Sequence, residues 1–333
     1  MAAGPARALQ VPPDDLFRGA AAADRHRQAV QAGADQEVLV TQIELAGGVV
    51  VSIGNPSDDA TFTLTADTVD DRRAIAVPSV PDALDQLRER CARWPHAAGI
   101  CDDVLRAADP AAPAFVGVIT ESLAYSTLQS GPEFARWLAA RGPAKVPEIP
   151  DPVVAERVES TLHVKFNRPA RHNAFSTDAR AALLEALEVA RVDPSVTDLI
   201  LSGNGPSFCS GGDLAEFGSF ADPASAHFAR TRHSPALLLA ELTERLGKRC
   251  RAQVHGQVLG SGLEMAAFCG HVQSSVDAVF GLPELSLGLI PGAGGTVSIT
   301  RRIGRWRTAY LVLSGATIDP PTALQWGLID KIE

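Results

Sequence analysis

The sequence lacks the features that mark nucleic-acid-binding and disulfide-stabilised proteins. Its 333 residues carry 30 Lys and Arg against 39 Asp and Glu, so the formal net charge is −9. A nucleic-acid-binding protein would show a basic field instead. The cysteines show neither metal-site spacing nor a pairing motif; they are Cys91, Cys101, Cys209, Cys250 and Cys269. We therefore expect free thiols in a reducing compartment, with no bound metal and no nucleic-acid partner.

Long apolar runs and leader signals are also missing. No stretch reaches the roughly 18 apolar residues of a membrane helix, and no basic start precedes an apolar segment. The expectation is a cytoplasmic protein without a membrane partner. The glycines at 292–295 are not followed by Lys-Ser/Thr, and no Gly-x-Gly-x-x-Gly stands in a βαβ setting, so no nucleotide cofactor is predicted. Hydrophobic residues make up 46%, which is enough for a substantial core.

A proline-rich segment divides the chain. Residues 142–152, GPAKVPEIPDP, contain four prolines and cannot continue a helix or a central strand. We predict a linker there. Before it we predict a flexible segment over 1–36, with a helical piece around 24–32, and a smaller α+β N-terminal domain over 37–141. A catalytic core over 153–333 follows it.

Local patterns support this division. Before the linker, alternation predicts a hairpin over 37–53, and apolar spacing predicts helices over 81–94 and 115–140, the latter broken near 130–132. After it, strands and helices alternate, which is typical of α/β architecture. The predicted elements are strands over 156–166, 199–201 and 251–255 and helices over 177–192, 223–246 and 262–268.

Two glutamates beside glycine-rich loops are the most informative feature. Glu264 follows Gly260-Ser261-Gly262, and Glu284 precedes the segment 291–295, PGAGG. Glycines let the backbone approach a ligand closely, and two carboxylates can divide acid and base work. The pattern indicates chemistry on a carbonyl compound whose oxygen becomes negative in the transition state. The structural alternative is a pair of glutamates that form ion pairs with arginines.

A second glycine loop spans residues 207–214, SFCSGGDL. Its amides can hold an anion or a polarised carbonyl oxygen; alternatively Asp213 simply caps the next helix. Together with the loop around Ser261, it could bring two amides to one oxygen, which is an oxyanion hole.

From about Val153 onward the chain resembles the crotonase superfamily, the enoyl-CoA hydratase/isomerase family. The resemblance rests on ordered motifs at 167–174, 207–214, 255–264, 280–288 and 291–296. It implies a spiral of ββα units that binds an acyl-CoA thioester, preceded here by the α+β domain. It also implies that family members continue with a helical C-terminal segment beyond the region that ends here at Glu333.

The resemblance also assigns the site. Glu264 and Glu284 fall on the catalytic carboxylates, and Gly212 and Ser261 fall on the oxyanion donors, serine replacing the more usual glycine. Arg171 and His172 lie in a turn that runs along CoA in the family. The complete set of predicted substrate- and CoA-binding residues is Arg171, His172, Ala174, Ser210, Gly212, Asp213, Leu214, Ala215 and Ser261.

The implied activity is hydration or dehydration of an α,β-unsaturated acyl-CoA, a lyase reaction of fatty acid metabolism, with coenzyme A only as part of the substrate and no other cofactor. Isomerisation, thioester hydrolysis, C–C cleavage, cofactor-independent dioxygenation of an aryl-acyl-CoA and a non-catalytic CoA-binding role are the alternatives. The family's usual assembly is a trimer or a hexamer.

Two further hypotheses concern the added segments. We expect residues 115–140 to form a lid that replaces the family's C-terminal cover. The basic cluster Arg301, Arg302, Arg305 and Arg307 is expected to form a solvated or subunit-contacting face or, alternatively, to bind CoA phosphates.

Overall fold

The computed structural model describes residues 26–31, 38–68, 70–220 and 222–333. The N-terminal sheet consists of β1 (His26–Gln31), β2 (Val38–Glu44), β3 (Val50–Ile53), β4 (Phe62–Thr65) and β5 (Ala74–Ala76), in that order. The first three strands are antiparallel, and β3, β4 and β5 are parallel. The predicted hairpin is present, with a turn at Ala46–Gly48. The helical piece predicted around 24–32 is wrong over 26–31, because pairing with β2 makes that segment an edge strand; the rest of the predicted flexible segment lies outside the described residues.

Four helices follow this sheet. They are α1 (Val80–Arg93), α2 (Pro95–Ala107), α3 (Ala114–Gln129) and α4 (Pro132–Arg141). The break between α3 and α4 falls where it was predicted, because Gly131 leaves the helix and Pro132 begins the next one. The helix α2 was not predicted. Residues 142–152 contain no helix or strand, and the division into two folding units stays a prediction.

The C-terminal part is built on a six-stranded sheet in the order β14-β11-β9-β8-β7-β6. Its strands are β6 (Val153–Val158), β7 (Thr161–Phe166), β8 (Asp198–Gly203), β9 (Cys250–Val254), β11 (His271–Ser274) and β14 (Lys331–Ile332). Only β6 pairs antiparallel. A second sheet contains β10 (Gln257–Leu259), β12 (Val279–Gly281) and β13 (Thr317–Ile318). The remaining helices are α5 (Thr177–Val192), α6 (Pro223–Arg232), α7 (Pro235–Leu246), α8 (Ser261–Ala266), α9 (Gly295–Ser314) and α10 (Pro320–Trp326). The predicted α/β class is confirmed.

Two predicted elements are each split in the structure. The strand over 156–166 is a hairpin of β6 and β7, with Glu159 at positive φ in the turn. The helix over 223–246 becomes α6 and α7, because Ser234 caps the second helix and Pro235 occupies its first turn. This split matters for function, since it turns α6 toward α3.

The N-terminal helices pack directly on the C-terminal part. Buried residues of both parts form one hydrophobic cluster. Gly117 of α3 lies so close to α9 that an added Cβ would stand 2.4 Å from Val297 Cγ2. Arg301 and Arg305 of α9 donate to the carbonyl oxygens of Ala112 (2.6 Å) and Ala60 (3.3 Å). No helix in the described part of the chain has the length and apolar character needed to cross a membrane.

Candidate active site

A cavity of about 130 Å³, open to solvent at its mouth, lies where α3, α5, α6 and α8 converge. It is lined by Glu264 and Glu284 and by Gly212 and Ser261. In the sequence these four residues lie in three separate segments, since Ser261 and Glu264 share one, and the fold brings the segments together. The residues Tyr125 and Gln129 of α3 also line the cavity, so the segment predicted as a lid forms one of its walls.

Glu264 is held by the start of α9. Its Oε2 accepts hydrogen bonds from the amides of Ala293 (2.7 Å) and Gly295 (2.8 Å). Gly295 must be glycine, because a Cβ there would stand 2.6 Å from Glu264 Cγ. Burial raises the pKa of Glu264 well above its ordinary value, and the nearby Glu121 and Glu284 raise it further, while the two amides oppose the shift. No arginine pairs with it among the described residues, so the ion-pair alternative does not hold.

A third carboxyl group, Glu121 of α3, binds the same helix start. It accepts from the amide of Gly294 (2.7 Å) and from the amide and hydroxyl of Thr296 (2.8 and 2.7 Å). Burial raises its pKa to about 7, although these hydrogen bonds oppose the shift. Glu121 and Glu264 thus accept from alternate amides of residues 293–296. Carboxyl groups of the chain therefore occupy the amides at the positive end of this helix dipole.

Glu284 begins a short 3-10 helix over Glu284–Leu287. Its Oε2 is buried and has no hydrogen-bond partner among the described residues. Burial is the main reason that its pKa is raised to about 8. Gly260 leaves room for this group, because a Cβ there would stand 2.5 Å from Glu284 Oε1. A proton on Oε2 would therefore point to no protein acceptor and is available to a ligand.

The amides of Gly212 and Ser261 are the candidate oxyanion donors. No hydrogen-bond acceptor for either amide is found in the described ranges. The Ser261 amide is free because it belongs to the first turn of α8, whose amides lack intrahelical acceptors. Gly212 tolerates no side chain, since a Cβ would lie 2.8 Å from the Phe217 ring. Both amides therefore remain available to an oxygen in the cavity.

Asp213 braces the Gly212 loop and does not cap a helix as the alternative proposed. Its carboxylate binds Arg168 (2.8 Å) and Arg171 (2.7 Å). Burial would raise its pKa, but the two arginines outweigh this and lower it. Arg168 is buried with it, and Asn173 ties Arg168 to the carbonyl groups of Asn204 and Ser207. The loop is therefore fixed before substrate arrives.

The predicted binding residues divide into two groups. Gly212, Asp213 and Ser261 line the cavity, and the other predicted binding residues do not. Arg171 is bound to Asp213, and the exposed His172 has its Nδ1 2.9 Å from Ser207 Oγ. The remaining members outside the cavity are Ala174, Ser210, Leu214 and Ala215. Their role toward CoA stays a prediction.

The basic cluster on α9 makes contacts within the chain, and its predicted roles at a subunit contact or toward CoA phosphates stay predictions. Arg301 and Arg305 fasten the N-terminal part, as described above. Arg302 donates to the carbonyls of Ala267 (2.9 Å) and Cys269 (2.6 Å), and the buried Arg307 lies 3.4 Å from the carbonyl of Trp326. These arginines hold the chain together and do not line the cavity.

Several polar residues of the cavity region were missed in the sequence, and four of them matter for the site. Glu121 and Tyr125 come from α3, Arg180 from α5 and Arg230 from α6; all but Glu121 line the cavity itself. The signal on α3 was present, because polar residues recur at helical spacing at 121, 122, 125, 126 and 129. Each of the two arginines shares its helix with a second arginine, Arg191 on α5 and Arg232 on α6, and no pattern singles it out. In the described residues no group of His, Cys, Asp and Glu is arranged to hold a metal.

The chain belongs to the enoyl-CoA hydratase/isomerase family, whose model matches residues 156–333. The chain is therefore related to enzymes of the crotonase superfamily, as the sequence motifs predicted. Glu121 and Tyr125 lie before the matched segment. This part of the cavity wall is an addition to the segment shared with the family.

Individual proteins that are similar to this chain include named enoyl-CoA hydratases. The chain is 34% identical over 180 residues to 2,3-dehydroadipyl-CoA hydratase of Escherichia coli K12. It is 32% identical over 181 residues to crotonyl-CoA hydratase of Syntrophomonas wolfei. Each match covers 54% of this chain and 68% of the relative. A solved enoyl-CoA hydratase from Thermoplasma volcanium shares 31% identity with a TM-score of 0.48, over 55% of this chain and 71% of that one.

Proposed function

We propose that this protein adds water across the double bond of an α,β-unsaturated acyl-CoA thioester, or removes it in the reverse, lyase direction. The observation that carries the proposal is the convergence of Glu264, Glu284 and two unpaired amides in one cavity. Relatives named as hydratases of crotonyl-CoA and 2,3-dehydroadipyl-CoA support it.

The amides of Gly212 and Ser261 receive the thioester oxygen. When water adds to Cβ, negative charge moves onto this oxygen as an enolate forms. Amides that already point into the cavity stabilise that charge without reorganising, and losing one such donor costs about 2.7–4 kcal/mol in related chemistry. Addition at Cβ therefore becomes feasible at neutral pH.

The two glutamates divide the proton transfers. We assign Glu264 as the base that takes a proton from water, because the amides of Ala293 and Gly295 stabilise its ionised form. We assign Glu284 as the acid that delivers a proton to Cα, because no partner is found for its Oε2 among the described residues, whereas two amides bind Oε2 of Glu264. Dehydration runs the same transfers in reverse.

The wall formed by α3 excludes water from the far side of the site. Tyr125 packs on Gly292, where an added Cβ would stand 2.5 Å from the ring. In this proposal the N-terminal part is a fixed cover of the acyl site. Trimers or hexamers stay a prediction that light scattering would test.

The test is to follow the conjugated enoyl-thioester absorbance with crotonyl-CoA and to weigh the product. Hydration predicts loss of absorbance and a product heavier than the substrate by one water. Loss of absorbance without a mass gain would indicate isomerisation instead, and release of free CoA would indicate thioester hydrolysis. No turnover of any enoyl-CoA despite CoA binding would support a non-catalytic role.

A further inference from the structure

Two half-buried arginines line the cavity that holds the reacting carboxyls. Arg180 comes from α5 and Arg230 from α6, and both line the cavity together with Glu264 and Glu284. Tyr125 interacts electrostatically with all four of these groups. The arginines and the catalytic glutamates therefore surround one space.

Arg230 is fixed in place by neutral groups of α3. It donates to Ser122 Oγ (3.0 Å), to Gln129 Oε1 (3.0 Å) and to Ser126 Oγ, all on α3, and its guanidinium lies 4.4 Å from the centre of the Tyr125 ring. These acceptors are neutral. Its pKa is lowered to about 10, chiefly by burial and further by the nearby Arg180. Among the described residues no carboxylate forms a hydrogen bond or ion pair with Arg230, and Glu121 interacts with it only electrostatically.

The positive charge of Arg180 has even fewer compensating contacts than that of Arg230. Among the described residues its side chain makes no hydrogen bond and no ion pair, whereas Arg168 and Arg171 each bind Asp213. The acid with which it interacts electrostatically is Glu216, whose Oε2 accepts from the amide (2.7 Å) and hydroxyl (2.9 Å) of Thr177. Burial lowers the pKa of Arg180. A guanidinium carries five donors in a planar fork that matches a carboxylate, and here these donors are not used by the chain.

We propose that the acyl group bound here ends in a carboxylate at the carbon most distant from the thioester, and that Arg180 binds this carboxylate with Arg230 adding its charge. The inference rests on the proposed function, because it places the thioester at Gly212 and Ser261. The same guanidinium could instead meet a phosphate of CoA. A carboxylate is favoured because Arg180 shares its space with Tyr125 and the two reacting glutamates, where the acyl chain has to lie.

The experiment compares two six-carbon 2-enoyl thioesters that differ only in ending with a carboxylate or a methyl group. Each is prepared on CoA and on N-acetylcysteamine, which has no phosphate. The variants are Arg180→Met, Arg180→Lys and, as a matched control on the exposed end of the same helix, Arg191→Met, whose partner is Glu188. Binding of the corresponding saturated thioesters is measured by calorimetry, so that the result does not depend on turnover.

The wild type should prefer the carboxylate-ended substrate in kcat/KM, chiefly through KM. The change to Met should reduce this preference by about 10- to 100-fold, which is the loss expected for a hydrogen bond to a charged group, and Lys should restore part of it. The same change should appear with the N-acetylcysteamine thioesters, and Arg191→Met should leave the preference as it is.

The proposal is overturned if the wild type binds both saturated thioesters equally, or if Arg180→Met leaves the ratio unchanged. An effect confined to the CoA thioesters would also overturn it and assign Arg180 to a phosphate. Hydration of the methyl-ended substrate without any preference would sink this inference and leave the proposed function standing. Preferential binding of the carboxylate-ended thioester without turnover would support this inference and contradict the proposed function.

Discussion

Removing the charge of Glu121 should change the pH dependence of catalysis although Glu121 is not assigned a step in it. Glu121 and Glu264 accept from alternate amides of residues 293–296. Consecutive Cα atoms are about 3.8 Å apart, and for carboxylates bound to neighbouring amides we take a separation on the order of 5 Å. At an effective dielectric of about 20 their repulsion is about 3 kcal/mol, or about 2 pKa units, before relaxation.

The sign follows from the charge. Ionised Glu121 raises the pKa of Glu264, so Glu121→Gln should let the remaining pair ionise at lower pH. The three carboxyls release their protons as a group, so the quantity to measure is the pH at which kcat/KM rises as the carboxyls ionise. This pH should be lower by about 1–2 units in the variant.

Glu188→Gln is the matched control for this variant. It removes an exposed carboxyl charge that is paired with Arg191 and does not line the cavity, so it should leave the profile in place. The profile is measured with crotonyl-CoA, and the melting temperature of each variant is recorded alongside. Profiles of wild type and Glu121→Gln that coincide, with both proteins folded, would refute the electrostatic coupling.

Three further predictions follow from the same contacts. Gly260→Ala should lower kcat about 10- to 100-fold while the fold is nearly unchanged, because the new Cβ would stand 2.5 Å from Glu284 Oε1 and Gly260 has φ +49°. Steady-state kinetics and circular dichroism test this, and an unchanged kcat would contradict it. The free energy of unfolding should fall as pH rises from about 4.5 to about 8, because the raised pKa values mean that the folded state holds these protons more tightly; Glu121 should contribute about 3 kcal/mol of this fall in urea unfolding. The stability of Glu284→Gln relative to wild type should be higher at pH 8 than at pH 5. Parallel curves of stability against pH for the two proteins would argue against this. Gly117→Ala should destabilise the packing of α3 on α9 by about 1–3 kcal/mol, because its Cβ would stand 2.4 Å from Val297, and an unchanged unfolding midpoint would count against that contact.

The parts of the site that sequence could predict are those set by local geometry. Gly260 and Gly212 were recognisable because glycine is required where a Cβ would meet Glu284 or Phe217. The same holds for the two glutamates, which stand next to such loops. Loop and helix signals also located α5 within its observed bounds, because Ser176 caps its first turn.

The parts that sequence could not predict depend on contacts between distant segments. Glu121 is 173 residues from Gly294, to which it is bound, and nothing local on α3 indicates which helix start it binds. From the sequence alone Arg305 would be taken for a surface cation, because the carbonyl of Ala60 to which it donates comes from a distant N-terminal segment. Edge pairing likewise made a strand of residues 26–31, where local composition favoured a helix.

The central claim is that Glu264 and Glu284 perform the proton transfers of hydration, and single Gln variants test it most directly. Wild type, Glu264→Gln, Glu284→Gln and the exposed control Glu188→Gln are compared in kcat for crotonyl-CoA hydration, with binding of saturated butyryl-CoA measured in parallel. The account predicts that each active-site variant loses about 10²–10⁴-fold in kcat while binding is retained and the control is unchanged. Wild-type turnover that survives in either active-site variant would contradict it.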